Sequence, residues 1–495
     1  MSGRRQIVLI MTDSQGVNVL GCYGAPGMYA PSIDRLAAEG VRFDRAYTTC
    51  PVCSPARSAL FTGLPPHQNG VWGNGMRLLD GVPTMGQLLQ DHGLKTGYIG
   101  KWHLDAFDYF GTGLAPDGWD EDTWYDMRNF LDELPPDERR RSRSWHHDPD
   151  HPVLAENTFA ARCSDRGIDF LTQHTDDDFL LVVSYDEPHG PHRCPSKYRE
   201  RYADFVYPGT ENIHDDLSDK PDHHRAWSSY LGLEGEVKPI QADSYFGCNT
   251  FVDEQIGRVL DAVDRHTPDA LVIFTSDHGY MLHAHRLFGK GPAMYDEITR
   301  IPVIARWPGR LPTGVVEATP VSHLDVMPTV LAAAGIEPMG HLSGSPLDRL
   351  IASKTSERAV FSEFNRFDAA GTGMGGLLPI RSACDGRHKL VLNLASRDEL
   401  YDLYADPAEL TNRIGDPSCA EIRDRLHARL LQWMTDTYDP FDGWAWVARE
   451  WATPRPEGWW SGDGREPNLC PVPYDANAPT PLDYTTASEA HGLRR

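Results

Sequence analysis

Short apolar runs alternate along the chain with longer stretches in which apolar positions follow a helical period. The runs at residues 7–11, 179–184 and 270–275 contain no polar alternation, which is typical of parallel strands buried on both faces. Residues 245–266 carry apolar side chains about every 3.6 positions, which predicts a long core-facing helix. Shorter helices are predicted at residues 31–40, 84–92, 325–334 and 422–438. The pattern predicts an α/β fold with central parallel strands.

Changes in composition divide the chain into parts. Polar segments near residues 104–152 and 195–242 are interpreted as insertions into a domain that covers residues 1–350. Short strands and turns then predict a smaller α+β subdomain over residues 351–440. The remaining residues, 441–495, combine many tryptophans with proline and glycine, and this is too aromatic for a disordered tail. We expect the tail to pack on its own domain or on another subunit of a homo-oligomer.

Charge and cysteine content exclude several classes of protein. The 495 residues include 47 Lys and Arg against 71 Asp and Glu, a net charge of −24, which argues against nonspecific binding of nucleic acid. A local basic pocket for an anionic substrate remains compatible with this balance. Nine cysteines, an odd number, do not form a disulfide scaffold. We find no signal peptide and no membrane span, and we expect a cytoplasmic protein.

Polar side chains follow each of the predicted buried strands within a few positions. Asp13 follows the first run, His189 follows the run at 179–184, and Asp277 and His278 follow the run at 270–275. Open α/β sheets bind ligands at the carboxyl ends of their strands, and two carboxylates that converge there can hold a divalent cation. Taken singly, each residue could instead cap a turn or lie in the core.

The stretch around Cys53 predicts a short helix. Pro55 suits the first helical position, Ser54 is expected to cap the free amides, and Gly63 suits the left-handed residue that ends the helix. Cys53 would then lie just ahead of a helix N-terminus, a place that attracts anions, with Arg57 one turn further on. A redox pair with Cys50 would require a thioredoxin-like context, which this stretch lacks.

Further polar residues are candidates for anion binding. Lys101 and His103 are two positions apart, so on an extended segment both would point to the same side and could face one anion. Asn74 lies in a turn-rich loop, His192 follows a Pro-rich turn, and Lys290 lies in a glycine-containing loop. For each of them an ordinary solvated or structural role is the alternative.

These motifs together resemble the type I sulfatases. The run CSPAR at residues 53–57, followed by Thr62 and Gly63, resembles their first signature, and the run GYIGKWH at 97–103 resembles their second. Pro-His at 188–189 and Asp-His at 277–278 also match, in family order. The resemblance covers about residues 5–435, without the insertions. It implies the alkaline-phosphatase-like fold: a large mixed sheet flanked by helices, with a smaller C-terminal antiparallel sheet.

The resemblance also implies the cofactors. In this family the cysteine at the position of Cys53 is oxidised to Cα-formylglycine by a formylglycine-generating enzyme, and the hydrate is the nucleophile. The metal ligands would be Asp13, Cys53, Asp277 and His278, and Ca²⁺, Mn²⁺ and Mg²⁺ all remain open. Ser14 stands where many sulfatases have a second aspartate, so only the first ligand of that pair carries over.

Individual roles follow from the same resemblance. Arg57 and Lys101 would hold the hydrate and the sulfate oxygens, and His103 would take a proton from the hydrate. The leaving oxygen would be stabilised or protonated by His189 and Lys290. Substrate contacts are assigned to Asn74 and His192. The implied activity is hydrolysis of an aryl or carbohydrate sulfate monoester to alcohol and sulfate.

Two other functions remain as alternatives. The first is hydrolysis of phosphonate monoesters or phosphodiesters, since a branch of this superfamily uses one aspartate at the position of Asp13 and an Asp-His pair. That branch tends to lack the Lys101 and His103 pair, which favours sulfate esters here. The second is a noncatalytic binding protein that keeps the fold.

Overall fold

The computed structural model describes residues 4–449 and 451, except for residues 107–108, 146–147, 149, 236–237, 339, 341, 354–356 and 369–375. Its strands are β1 Gln6–Thr12, β2 Val41–Phe43, β3 Ala46–Tyr47, β4 Lys95–Gly100, β5 Phe179–Ser184, β6 Leu271–Ser276, β7 Val303–Arg306, β8 Val315–Glu317, β9 Val321–Ser322, β10 Val360–Phe364, β11 Ile380–Cys384, β12 His388–Asn393 and β13 Glu399–Asp402.

Helices flank these strands. They are α1 Pro31–Glu39, α2 Cys53–Thr62, α3 Pro66–Asn69, α4 Met85–Asp91, α5 Met127–Glu133, α6 Pro136–Ser142, α7 Phe159–Gln173, α8 Ser196–Glu200, α9 Asp222–Tyr230, α10 Asp243–His266, α11 Asp296–Thr299, α12 Val326–Ala333, α13 Leu347–Ser353 and α14 Ala420–Asp436. Across the described residues, none of the helices combines the length and the apolar composition that crossing a bilayer requires.

The main sheet is built on parallel strands. Within the described residues its order is β4-β5-β1-β6-β7-β2-β8. The neighbours β4, β5, β1 and β6 are parallel, whereas β7 runs antiparallel to β6 and β2. The prediction of a central parallel β1 is confirmed. Because these strands run in one direction, their carboxyl ends meet at one edge of the sheet.

Apolar side chains cover both faces of this sheet. Along β1, Val8 and Ile10 join one core cluster with α7 and α10, while Leu9 and Met11 join the other with α2, α4 and α12. The helix predicted at 245–266 is observed as α10, which starts two residues earlier. Burial on both faces explains why the strands read as uninterrupted apolar runs.

The chain after α13 forms a second sheet. Strands β10 to β13 pair antiparallel in sequence order, and α14 packs against β11 and β12. The predicted fold class, an α/β domain with a smaller antiparallel C-terminal sheet, is confirmed.

The chain divides into two units, Met1–Asp442 and Gly443–Arg495. The second unit contains a short helix, α15 Trp444–Val447. The predicted packing of the tryptophan-rich tail concerns residues 441–495, of which residue 450 and residues 452–495 lie outside the described part.

The first insertion carries secondary structure of its own. Helices α5 and α6 lie within residues 104–152, and Phe130 and Leu131 of α5 pack into the core on one face of the main sheet. Trp119 and Trp124 pack into the core on the other face. The insertion is therefore an ordered part of the domain that packs into both cores. Its Tyr109 contacts Lys101 at the carboxyl edge of the sheet.

Candidate active site

Charged side chains gather at the carboxyl edge of the parallel strands. Lys101 follows β4, Asp186 follows β5 within two residues, Asp13 follows β1 and Asp277 follows β6. All of these side chains are buried. The parallel arrangement thus turns positions that are distant in sequence into neighbours.

A set of potential metal ligands lies at this edge. One atom each from Asp13, Cys53, Asp277 and His278 falls within 4.8 Å of all the others. Nδ1 of His278 lies 2.9 Å from the carbonyl oxygen of Gly279, so Nδ1 carries the proton and Nε2 is left as an acceptor. This Nε2 is 3.3 Å from Sγ of Cys53. Two carboxylates and an imidazole that converge in this way suit a divalent cation, and the donor set fits the metal that the sequence implied.

Arg57 joins the two carboxylates from behind. Its Nη2 lies 3.2 Å from Oδ2 of Asp13 and its Nε donates to Oδ2 of Asp277 at 3.0 Å, with all three side chains fully buried. Burial disfavours a charged Asp13, but Lys101 and Lys290 hold the pKa of this carboxyl well below its ordinary value. Burial and the charge of Asp13 raise the pKa of Asp277 to about 7.

Ser14 orients both carboxylates without being a further acid. Its hydroxyl donates to Oδ1 of Asp13 at 2.8 Å, and its backbone N–H donates to Oδ1 of Asp277 at 3.1 Å. The residue adopts a left-handed backbone with φ 64°. Gln15 points elsewhere, since its amide donates to Asn249 at 2.8 Å and its oxygen accepts from Thr12 at 2.9 Å.

The helix that carries Cys53 starts earlier than predicted. Helix α2 begins at Cys53 itself, after the extended residue Val52, so the prediction that Pro55 is its first residue is wrong. The predicted cap is also wrong: the hydroxyl of Ser54 is buried without a hydrogen-bond partner in the described chain. The backbone N–H of Ser54 instead donates to Oδ1 of Asn74 at 2.9 Å. A loop side chain therefore supplies the cap, which places Asn74 beside Cys53.

The end of α2 is as expected. Gly63 has φ 65° in the left-handed region, and its N–H donates to the carbonyl of Ala59. Every residue of α2 is buried, including Arg57. The helix is thus fixed at both ends, and Cys53 has a defined position at its head.

Lys290 approaches the thiol directly. Its Nζ lies 2.6 Å from Sγ of Cys53 and 3.9 Å from Oδ1 of Asp13. Burial and the nearby Asp13 nevertheless raise the pKa of Cys53 to about 11. At neutral pH the unmodified side chain is therefore a thiol.

Lys101 and His103 reach the site by different routes. Nζ of Lys101 lies 2.7 Å from Oδ2 of Asp13 and 3.0 Å from Oδ1 of Asp186. Strand β4 ends at Gly100, and His103 has φ 60°, so the argument from strand alternation is wrong. Burial, with Lys101 close by, lowers the pKa of His103 well below its ordinary value. Its buried Nδ1 has no hydrogen-bond partner among the described residues.

Tyr109 and Asp186 are functional candidates that the sequence reasoning missed. The Tyr109 hydroxyl lies 2.5 Å from Oδ1 of Asp186 and 3.0 Å from Nζ of Lys101. Nη1 of Arg143, also from the first insertion, donates to Oδ2 of Asp186 at 3.2 Å. The same strand-end rule that picked out Asp13 could have found Asp186, because it follows β5. No comparable local signal marks Tyr109.

His189 receives a defined tautomer from this network. Its Nδ1 lies 3.1 Å from the Tyr109 hydroxyl and 2.9 Å from the carbonyl oxygen of Gly190. Burial and Asp186 raise the pKa of Tyr109 well above its ordinary value, so Tyr109 keeps its single proton, which it donates to Asp186. Both neighbours of Nδ1 are then acceptors, so Nδ1 carries the proton and Nε2 is free to face a ligand. Burial and Lys290 lower the pKa of His189 to about 3.

His192 lies at the rim of the site. Its Nδ1 is 2.6 Å from the carbonyl oxygen of Pro188, and its ring packs edge-on against Trp145 and Tyr245 at centroid distances of 5.5 and 5.3 Å. Burial lowers its pKa. It is thus held among aromatic rings, and no described atom ties it to the ligand cluster.

The ammonium groups of Lys101 and Lys290 lie beside Asp13, and that of Lys290 also contacts Cys53. Behind the thiol, carboxylates and an imidazole offer a place for a divalent cation. This combination at the carboxyl edge of a parallel sheet defines a hydrolase of anionic esters.

Comparison with family models shows which hydrolase family the chain belongs to. Residues 5–336 match the family model described as Sulfatase, and residues 283–436 match N-sulphoglucosamine sulphohydrolase, C-terminal. The chain therefore belongs to the sulfatase family, and it is a sulfuric ester hydrolase.

Individual relatives agree with this assignment. The chain is 43% identical over 502 residues to the uncharacterized sulfatase YidJ of Escherichia coli, covering 99% of this chain and 98% of that protein. The fold is similar to the structure of BT4656 in complex with its substrate D-glucosamine-2-N,6-O-disulfate, with a TM-score of 0.72, 21% identity and coverage of 89% and 99%. It is also similar to a phosphonate monoester hydrolase of Agrobacterium radiobacter, with a TM-score of 0.70, 24% identity and coverage of 87% and 96%.

Proposed function

We propose that this sulfatase hydrolyses a sulfate monoester of a saccharide or an aryl alcohol, with a formylglycine made from Cys53 and one divalent cation. The observation that carries the proposal is the position of Sγ of Cys53, 3.3 Å from Nε2 of His278 and 2.6 Å from Nζ of Lys290. One small side chain at the head of a helix thus faces both a ligand set and a cation.

The state of the thiol supports a modified residue. With its pKa raised to about 11, Cys53 would be protonated at neutral pH and a poor nucleophile. A formylglycine hydrate at this position would supply an oxygen nucleophile in place of sulfur. The thiol is buried at the head of α2, where such a group would stand over the carboxylates.

A divalent cation would be held by Asp13, Asp277, His278 and residue 53. When bound, it would supply Lewis-acid activation and charge neutralisation. Arg57 and Ser14 keep the two carboxylates in position for it.

Two lysine side chains in fixed positions would bind the sulfate group through its negative charge. Lys101 and Lys290 each offer an ammonium group beside Asp13. Because these groups are held by buried partners, they need little reorganisation when charge develops on the ester oxygens. Lys290 is also placed to stabilise the leaving oxygen.

Proton transfer is assigned to the two buried histidines. Nε2 of His189 is the atom that would face the leaving oxygen, since Nδ1 is engaged by Tyr109 and Gly190. It would donate a proton there as the imidazolium, a form that the negative charge of a bound sulfate ester would favour, and it would return to the neutral ring once the alcohol has left. His103, whose low pKa keeps it neutral, is suited to accept a proton from the hydrate. The roles of Asn74 and His192 in substrate contact stay proposals.

The substrate class draws on the relatives. BT4656 binds a sulfated glucosamine, and other similar proteins are an ulvan-active sulfatase of Formosa agariphila and a choline-sulfatase of Rhizobium meliloti. We extend the saccharide class to this chain as part of the proposal. A cytoplasmic location and a modifying enzyme that converts Cys53 also belong to it.

Mass analysis followed by kinetics tests the proposal. We expect the peptide that contains Cys53 to carry the mass of formylglycine, and the protein to hydrolyse members of a sulfate-ester panel. A Cys53→Ala variant should lose turnover and serve as the control. An unmodified Cys53 in a fully active protein would overturn the mechanism, and no turnover of any ester would favour the noncatalytic alternative.

Phosphonate monoester hydrolysis is a second candidate. The ligand set of Asp13, Cys53, Asp277 and His278, with Ser14 in place of a second aspartate, favours it. We expect kcat/KM for an aryl sulfate to exceed that for the matched aryl phosphonate, because Lys101 and His103 both reach the site. The reverse ranking would assign the protein to the phosphonate branch.

A further inference from the structure

A row of aromatic rings passes beside the active site and reaches the surface at both ends. We call it the aromatic wall: Trp145, His192, Tyr245, Tyr280 and Phe288. Tyr245 and Tyr280 stack at 5.0 Å, Phe288 meets Tyr280 edge-on at 5.1 Å, and His192 joins Tyr245 to Trp145. The middle of the row is buried at Tyr245, whereas both ends are exposed: Trp145 is 69% exposed and Phe288 38% exposed.

The aromatic wall adjoins His189 and Lys290, the two residues proposed to act on the leaving oxygen. The Trp145 indole lies over Gly190, so close that a Cβ there would be 2.1 Å from a ring carbon, and Gly190 in turn accepts from His189. Phe288 precedes Lys290 by two positions. In the middle of the row, the Tyr245 hydroxyl donates to the carbonyl oxygen of Ser14 at 2.8 Å, directly beside Asp13. If His189 and Lys290 act on the leaving oxygen as proposed, the wall lines the side on which the leaving group departs.

We propose that the aromatic wall is the subsite for the leaving group, and that this group is a sugar ring stacked on Trp145, the exposed ring beside Gly190 and His189. The inference rests on the proposed function, and it narrows the substrate to a saccharide sulfate. Nothing else in the mechanism uses these exposed rings.

The chemistry of the wall favours a sugar over an aryl group. Aromatic leaving groups are best held in a closed apolar slot, but here the outer rings are open on one side. A pyranose has an apolar C–H face for stacking and a rim of hydroxyl groups. His192, with its proton on Nδ1 toward Pro188, presents Nε2 as an acceptor for such a hydroxyl.

A quaternary ammonium group fits less well. Aromatic rings do attract such cations. However, Lys101 and Lys290 provide fixed positive charges at the site, and these would repel a cationic leaving group. The carboxylate of Asp186 is already engaged by Lys101 and Arg143.

Two variants of exposed rings test the subsite. In Trp145→Ala we expect KM for N-acetylglucosamine 6-sulfate to rise about two- to tenfold, with kcat nearly unchanged. Phe288→Ala, at the opposite end of the wall, should raise KM less. The matched control is Tyr404→Ala, which removes a ring that is 59% exposed and packs on Arg45 and Arg387 in the C-terminal subdomain. An equal loss in the control, or a larger loss for 4-nitrophenyl sulfate than for the sugar sulfate, would overturn the proposal.

Direct binding separates this proposal from the proposed function. Saturation-transfer NMR with unsulfated N-acetylglucosamine needs no turnover, so it works even if no sulfate ester is hydrolysed. We expect ring protons of the sugar to be saturated by the full-length protein and to lose that signal in Trp145→Ala, with an unchanged Tm. Equal signals in both proteins, or binding of choline in place of the sugar, would exclude a sugar subsite.

Discussion

The hydroxyl of Tyr109 lies 3.1 Å from Nδ1 of His189 and couples the first insertion to the catalytic edge of the sheet. The same hydroxyl contacts Asp186 and Lys101. Tyr109 therefore acts as a positioning residue: together with the carbonyl of Gly190 it fixes the tautomer of His189, and it also contacts the ammonium of Lys101. An inserted segment, outside the pattern of buried strands, completes the site.

Removing this hydroxyl should affect turnover more than substrate binding. In Tyr109→Phe we expect kcat to fall about ten- to a hundredfold with KM little changed, since His189 loses one of the two acceptors on Nδ1 that stabilise its protonated ring. The loss should be larger for an alkyl sulfate than for 4-nitrophenyl sulfate, because the poorer leaving group depends more on protonation. Steady-state kinetics on both substrates checks this.

The control for this change is another buried tyrosine. Tyr125→Phe removes a hydroxyl that donates to Glu133 at 3.0 Å, outside the ligand cluster. It should leave both kinetic parameters near those of the parent protein. Equal losses for the two leaving groups in Tyr109→Phe would contradict a role through His189.

Removal of the divalent cation should abolish activity and lower thermal stability. The carboxylates of Asp13 and Asp277 lie close together in a fully buried place, and a bound cation stabilises only the folded state. Exhaustive chelation should therefore inactivate the protein, and adding back Ca²⁺, Mn²⁺ or Mg²⁺ singly should identify the ion that restores activity and Tm. Full activity in the chelated protein would refute a metal-dependent site, and Asp13→Asn should not be rescued by any ion.

Arg57 should matter for folding as well as for catalysis. Arg57→Ala leaves two buried carboxylates without their shared guanidinium, a loss of about 3–5 kcal/mol in the free energy of unfolding. Chemical denaturation measures it. Arg35→Ala breaks surface pairs with Asp261 and Asp264 and should cost about 0.2–1 kcal/mol. Similar losses in both variants would show that the buried ion pairs of Arg57 contribute no more to the free energy of unfolding than surface pairs do.

A pH-dependent contribution to stability is expected away from the active site. Burial opposes protonation of His67, but the carboxylate of Glu363, which bonds to Nδ1, raises the pKa of His67 above its ordinary value. A raised folded pKa stabilises the protein below the unfolded value of about 6.5, and that stabilisation is lost as pH rises through the folded pKa. Asp439 and Arg381 complete this buried network.

Melting curves of His67→Gln across pH test this. The deficit in the free energy of unfolding relative to the parent protein should be largest near about pH 6 and should narrow at higher pH. His92→Gln, at the exposed end of α4, is the matched control and should show no such trend. A deficit that stays constant with pH would mean that His67 acts only through packing.

Predictions from local sequence were correct where the structure of a segment depends only on residues within a few positions. The apolar runs of β1, β5 and β6 are buried on both faces in a parallel sheet, and such strands place the following residue at the ligand edge. Gly63 ends α2 because only a left-handed residue closes it there. The same rules failed at Ser54, since its amide finds Asn74, which is twenty positions away.

The chain's own order of residues was enough to determine the strands, the helix of Cys53 and the family motifs, because each depends on neighbours within a few positions. Only the tertiary structure shows that the Tyr109 hydroxyl contacts His189 and that Ser14 donates hydrogen bonds to both Asp13 and Asp277. It also shows that His103 lies in a left-handed turn and not on a strand. These contacts join segments whose separation carries no periodic signal. They arise because four parallel strands end at one edge and bring their loops together there.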